Sequence, residues 1–312
     1  MVSSQSTMIE RYFPDYAKKR NKTPDWLGSY IRGKSTVEKG SLSLSEGFYY
    51  DVENEIAVPT ARNLIARIDW SLIFDDIPPQ PRSSELLCEF LRWLGETVHT
   101  HLENPLWNKF EVSEEVSGLS SYQKGCEVHA EVLKTHPKLS DVHKYSTESY
   151  CRKQLQQRVI QDAQNIIERW DSYREQLAAE VCSRETPLIY LVDDDRGFGT
   201  QSDAILYIDG ESLPNGLYVT DFKVSGRPIT HSHRCQVEMQ RRCVQQYFDP
   251  PIRGLVVRFD PFDEDYSVSL SASTDDEWKT DAYREMFDRK LTYYYDNKGL
   301  GIRLSKVVQD RS

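Results

Sequence analysis

The sequence predicts an α/β domain, a central mixed β-sheet flanked by helices, following a mainly helical and irregular N-terminal region. Three observations carry that expectation. The first half holds helical stripes such as "SELLCEFLRWLGETVHTHL", in which residues 86, 87, 90, 91, 94 and 98 are apolar at the spacing of one helix face. Beyond residue 187 the pattern changes to short apolar runs bounded by Gly, Asp and Ser, the mark of strands. One helical stretch, "HSHRCQVEMQRRCVQQYF", then interrupts the run of strands. Helices first, then a short sheet broken by a helix, divide the chain into an accessory region, 1–115, and an α/β domain, 116–312.

Residues 1–80 are rich in Ser, Pro and Asp and read as irregular, with "DDIPPQPRSS" (Asp75–Ser84) as a linker. A Ser just before the first apolar stripe is a natural N-cap. "SYQKGCEVHAEVLKTH" reads as a second helix and Glu148 to Cys182 as a long third one. "PLIYLVDD", "SDAILYID" and "GLYVTDFKV" read as strands, and after the interrupting helix come "IRGLVVRFD" and "DYSVSLSAS". A helix, "DEWKTDAYREMFDRKLTYYYDN", closes the pattern.

Composition narrows the class of protein. The 312 residues are 38% hydrophobic and 28% charged, enough to build one large domain or two smaller ones. No apolar run approaches the ~18 residues of a membrane span, so no membrane partner is expected. The N-terminal stretch lacks the apolar core of a secretory signal. Six cysteines (88, 126, 151, 182, 235 and 243) are scattered without a CxxC pair, which argues against structural zinc and against a disulfide framework. A reduced, intracellular protein is the expectation. The net charge of −10 means that any nucleic-acid contact needs a local basic patch.

Two motifs compete for the chemistry. "GSYIRGKS" (Gly28–Ser35) fits the phosphate-cradling loop of nucleotide hydrolases, G-x-x-x-x-G-K-[ST]. That loop works only between a buried strand and a helix N-terminus. Here Pro24 and Asp25 stand where the strand belongs, and Gly40 and Gly47 interrupt the helix. A basic surface turn is the plainer reading, and a nucleotide hydrolase the lesser alternative.

The second motif lies in "GLYVTDFKVSG", where Asp221 and Lys223 end an apolar strand one residue apart. Period-2 alternation points both side chains to one face. A tight turn between "SDAILYID" and "GLYVTDFKV" would make an antiparallel hairpin, in which Asp203 comes beside Asp221. Two carboxylates forced together repel unless they share a proton or hold a cation. A hard divalent ion, Mg²⁺ or Mn²⁺, suits such oxygen ligands. A charged hairpin edge that discourages aggregation explains Asp221 and Lys223 but not Asp203.

In this order the residues resemble the PD-(D/E)XK nuclease superfamily, within it the RecB-like branch that includes CRISPR-associated and mitochondrial exonucleases. "GCEVHAEV" resembles the family's helical G-x-x-x-H element, "GTQSDAI" and "TDFK" its carboxylate and lysine motifs, and "HRCQVEMQRRCVQQY" its Gln-containing helix. The resemblance spans about residues 120–260. It implies a restriction-endonuclease-like core and metal-dependent hydrolysis of DNA by an exonuclease acting on single strands or duplex ends. It further implies that His129, Asp203, Asp221 and the backbone carbonyl of Phe222 hold Mg²⁺ or Mn²⁺, that Lys223 assists the attacking water, and that Gln236 orients the site. Many relatives carry four cysteines for an iron–sulfur cluster; with no Cys beyond Cys243, no cluster is expected here. The family's Tyr four residues after the Gln is Gln240 in this chain, and Tyr247 is the candidate to replace it.

Between 223 and 242 the chain carries Lys223, Arg227, Arg234, Arg241 and Arg242 with His231 and His233, against Glu238 alone. These arginines, with Tyr247, are the expected DNA contacts. "KKRNK" (Lys18–Lys22) and Tyr293–Tyr295 are further candidates, for phosphates and bases respectively. A non-catalytic DNA-binding or assembly protein that keeps the nuclease fold is the main alternative.

Overall fold

The structure, a computed structural model, describes residues 37–43, 46–51, 56–74, 91–92, 94–99, 102, 148–194, 196–249, 251–263 and 265–298. Its centre is a five-stranded mixed sheet in the order β4-β5-β6-β7-β8: β4 (Ala179–Leu191), β5 (Gly197–Ile208), β6 (Gly216–Val224), β7 (Arg253–Phe259) and β8 (Val268–Ala272). Neighbours run antiparallel except β6 and β7, which are parallel. Parallel neighbours need a crossover, and helix α3 (His231–Gln245) supplies it. Thr230 caps α3: its hydroxyl accepts from the N–H of His233, whose Nδ1 accepts the Thr230 N–H in return. The predicted α/β class, a mixed sheet flanked by helices, is what forms.

Alternation along the strands assigns the two faces. Ile205, Tyr207, Leu217 and Val219 meet Val237, Met239 and Val244 of α3 and Phe287 and Leu291 of α4 (Thr280–Lys298). Ala204, Leu206, Tyr218 and Phe222 face the other way, onto Val159, Ile166 and Trp170 of α2 (Glu148–Gln176). Leu94 and Val98, from the helical segment 94–99, join this second layer.

Two regions differ from the sequence pattern. The helix expected to reach Cys182 stops at Gln176, Ala178 takes a left-handed φ of 48°, and β4 begins at Ala179. An alternating Val181–Ser183 stretch paired with Leu206 and Ile205 gains more in the sheet than a last helical turn would. The second difference is upstream. Where 1–80 reads as irregular, a three-stranded antiparallel sheet forms from β1 (Val37–Ser43), β2 (Glu46–Asp51) and β3 (Ile56–Pro59). These short runs lack apolar alternation, and tertiary contact holds them. Tyr49 and Val58 pack on Ile189, and the Tyr49 side chain lies so close over Gly199 that a Cβ there would clash with its Cβ and ring. Thr60 bridges Gly199, and Ala61, Leu64 and Ile65 of the short helix α1 (Ala61–Ile65) enter the α3 core. The described part of the N-terminal region is therefore built onto the central sheet.

Candidate functional site

The site forms where the β5–β6 hairpin splays. The two strands pair from Ile208↔Gly216 to Ala204↔Thr220, and there the ladder ends. The register would next oppose Asp203 and Asp221. Instead β6 continues beside β7, while β5 runs on beside β4. The Phe222 N–H, left without a ladder partner, donates to Asp203 Oδ2 at 2.7 Å. The expected neighbourhood of the two carboxylates thus forms, with a backbone amide between them.

Asp221 is fully buried, and both its oxygens have company. Gln236 Nε2, on the second turn of α3, donates to Oδ1 at 2.8 Å. The Lys223 ammonium stands 2.6 Å from Oδ2, with Lys223 about a quarter exposed. That contact is a charge pairing without hydrogen-bond geometry, so Oδ2 keeps a buried lone pair without an aligned donor. The same-face placement read from alternation is what brings Asp221 and Lys223 together.

A histidine completes the cluster, and it is His99. Its Nε2 lies 3.1 Å from the Phe222 carbonyl and its Nδ1 lies 3.7 Å from Asp203 Oδ2. Leu94 and Val98 anchor the helical segment 94–99 against the α2 layer, so the imidazole approaches the splay from that side. His129, the residue expected in this place, lies outside the described residues. Sequence reasoning missed His99 although the signal was available: Gly95-Glu96-Thr97-Val98-His99 has the same G-x-x-x-H spacing as Gly125–His129.

Electrostatics follow from this crowding. Burial and the neighbouring Asp221 charge push the Asp203 carboxyl up to about 6, against the pull of His99, Lys223 and the Phe222 N–H. A carboxylate whose folded pKa is raised from 3.8 weakens the fold at every pH above that window. Asp203→Asn is therefore expected to raise the melting temperature of the metal-free protein at neutral pH. The gain should develop between pH about 4 and about 6, stay flat above, and vanish below. Melting curves of both proteins in EDTA across this range check it. His233 behaves oppositely: burial, then the Lys223 charge, lower it to about 4, consistent with a neutral ring whose Nδ1 accepts the Thr230 N–H.

The expected basic surface does not form as predicted. Arg234 is buried, bonded to Ser271 and paired with Glu277 at 2.6 Å. Arg241 grips the fully buried Glu238 through two hydrogen bonds and also donates to the Ile252 carbonyl. Arg242 pairs with Asp288 and lies 4.8 Å over the Tyr190 ring. Tyr247 lies beyond the last residue of α3 and packs against the α3 core. Arg227 is half-buried on the loop after β6. The acids that engage Arg234 and Arg242 come from the segment 277–288, which local charge counting ignores. Arg241→Ala should consequently act on folding. Leaving Glu238 with Arg284 alone is expected to cost about 3 kcal/mol, measured by urea denaturation, whereas a DNA contact would leave stability unchanged.

Tyr295 is buried and bonds the Gly197 backbone through both N–H and C=O, while Tyr293 is exposed. Asp193 pairs with Arg196 in an exposed turn. Gln240, where the family has Tyr, is buried and donates to the Gln201 carbonyl. Gly28–Ser35 and Lys18–Lys22 lie outside the described residues. Among the described residues no helix is long and apolar enough to cross a membrane.

Among the described residues, no group of three His, Cys, Asp or Glu side chains stands ready-spaced around a common point. The donor chemistry nevertheless fits a hard divalent cation: two carboxylates, a backbone carbonyl and an imidazole converge, and Asp221 Oδ2 has a buried lone pair to offer. Comparison with models of known protein families gives no match, and comparison with curated proteins gives none either. Among solved structures, one described as "Crystal structure of SSO0001" aligns with 66% of this chain and 86% of its own, at 14% identity and a TM-score of 0.26. A likeness at that score carries no argument.

Proposed function

We propose that the chain is a Mg²⁺- or Mn²⁺-dependent deoxyribonuclease of the PD-(D/E)XK type, an exonuclease of the RecB-like branch. The observation that carries this reading is the convergence of Asp203, Asp221, Lys223, Gln236 and His99 on the splayed end of one hairpin. His99, Asp203, Asp221 and the Phe222 carbonyl would hold the ion. Bound there, a divalent cation supplies Lewis-acid polarisation of a phosphoryl oxygen and a lowered pKa for an attacking water.

The chain's own groups do the rest. Lys223, held by Asp221, presents an ammonium that orients the water and offsets the charge developing on the phosphate. Gln236 fixes the Asp221 carboxylate from a helix turn that Thr230 caps, so the carboxylate keeps one orientation. Phe222 serves twice: its N–H holds Asp203 and its carbonyl faces His99. The pKa of Asp203 supports the same reading, since a carboxyl left at about 6 without a cation gains most from one.

End-labelled single-stranded and duplex DNA, incubated with the purified protein in Mn²⁺ and then in EDTA, tests it. Cleavage that stops with EDTA is the expected result. If DNA binds with a steep salt dependence and no divalent ion supports cutting, the protein is a non-catalytic DNA-binding member of the fold.

A further inference from the structure

The capping box of α3 is built with a histidine where such a box ordinarily carries Glu or Gln. Either of those spends its terminal group on the cap. His233 serves the cap with Nδ1, which accepts the Thr230 N–H at 3.3 Å, and keeps a second ring nitrogen. A neutral ring whose Nδ1 accepts an N–H carries its proton on Nε2. The cap therefore fixes the tautomer and leaves Nε2–H as a donor. Among the described residues nothing accepts from it, and the atom is not buried.

The helix sets where that donor stands. His233 and Gln236 are three residues apart and share one face of α3. Gln236 reaches Asp221 Oδ1 at 2.8 Å, so His233 lies one turn nearer the helix start, toward the same strand end. Of the charges that act on its ring, the Lys223 ammonium is the strongest and the Asp221 carboxylate the next. Burial, then the Lys223 charge, keeps the ring from taking a second proton near neutral pH, which makes it a hydrogen-bond donor and not a general acid. The strand end thus carries an ammonium and an imidazole N–H beside the carboxylates that would hold the ion. Both offer donors alone. Phosphate oxygens only accept, whereas base edges mix donors with acceptors.

We propose that His233 is a further catalytic residue, its Nε2–H donating to a non-bridging oxygen of the DNA phosphate that Lys223 contacts. The assignment rests on the nuclease reading for the identity of the substrate. Three variants of the full chain separate the contact from the cap. His233→Asn places its side-chain oxygen where Nδ1 stands, so it keeps the cap and has nothing at the place of Nε2. His233→Gln extends an amide N–H to the reach of Nε2, and His233→Ala removes both functions. Circular dichroism and melting curves follow folding, with His233→Asn expected near wild type and His233→Ala lower. Fluorescence anisotropy reads the binding of a labelled single-stranded oligothymidine in Ca²⁺, and cleavage in Mn²⁺ is resolved into kcat and KM. His233→Asn and His233→Ala are expected to bind about tenfold more weakly, the scale of one hydrogen bond to a charged group. They should lose at least as much in kcat/KM, while His233→Gln recovers most of both. Mn²⁺ affinity by isothermal titration should stay within about twofold in all three, since none loses a metal ligand. If His233→Asn behaves as wild type and only His233→Ala is impaired, the residue is a cap and the proposal is overturned. A slower rate without weaker binding also overturns it, because the ring then touches no bound phosphate. Failure of the two readings is separable: if the wild type cuts DNA and folded His233→Asn cuts and binds like it, only the His233 assignment fails. If no divalent ion supports cutting but binding in Ca²⁺ still depends on the imidazole, the phosphate contact stands and only the nuclease reading fails.

Discussion

Asp221→Asn is expected to reduce Mn²⁺-supported DNA cleavage by at least about 10²–10³-fold, the scale lost when one preorganised electrostatic group leaves a catalytic centre. The carboxylate has no substitute within the cluster. It is fully buried, oriented by Gln236 and partnered by Lys223. An amide keeps its volume but must turn its NH₂ toward one of two donors, the Gln236 amide or the Lys223 ammonium. Some stability is lost with it, about 1.5–3 kcal/mol for a hydrogen bond involving a charge. Lys223→Ala should cost more, about 3–5 kcal/mol, because it strands a buried carboxylate. The double variant should then be less than additive in stability, since the two residues share one interaction. Cleavage and stability measured on the same three proteins separate catalysis from folding. Asp203→Asn sharpens the contrast, with activity lost and stability gained. Cleavage rates in folded Asp221→Asn or Lys223→Ala equal to those of the wild type would sink the mechanism.

Much of this site is readable in the sequence, and the reason is geometric. A period-2 strand fixes which side chains share a face, so Asp221 and Lys223 had to be neighbours once Leu217 and Val219 were buried. The antiparallel pairing of β5 and β6 put Asp203 beside that pair. The connection is a seven-residue loop, 209–215, and not the tight turn expected, so the register is set by the apolar faces of the two strands. Gln236 reached Asp221 because the helix after β6 must cross back over the sheet to deliver β7 in parallel. Each of these inferences spans a short stretch of chain and a regular element.

What stayed hidden depends on contacts between distant segments. The cation density of 227–242 looked like a surface, yet Glu277 and Asp288 take up Arg234 and Arg242 after the chain has passed through two more strands. Glu238, the one acid noted in that stretch, turned out to be the buried hub for Arg241 and Arg284. The strands at 37–59 carry little local signal of their own, and Tyr49 stacked on Gly199 holds them in place. Propensity is a weak prior where a neighbouring surface decides.

The histidine ligand is the case where two local signals tie, and only placement can break the tie. His99→Ala is expected to weaken Mn²⁺ binding by at least about 10–100-fold, the loss typical even of groups that merely orient a metal ligand. His129→Ala should leave it within about twofold, the ordinary scatter for a residue outside the ligand set. Gly95–His99 and Gly125–His129 have identical spacing, and both precede the sheet. Leu94 and Val98 are buried against the α2 layer, however, which fixes the helical segment and carries the ring to Phe222 and Asp203. With about a quarter of its surface exposed, the His99 side chain can be truncated without opening the core, so the variant should melt close to wild type. Isothermal titration with Mn²⁺, alongside cleavage assays at saturating and limiting Mn²⁺, reads the effect directly. A lost ligand raises the Mn²⁺ concentration needed for half-maximal rate before it lowers the maximum. The reverse pattern, His129→Ala impaired and His99→Ala unaffected, would return the imidazole to the helix originally expected and leave His99 as a packing residue hydrogen-bonded to a strand.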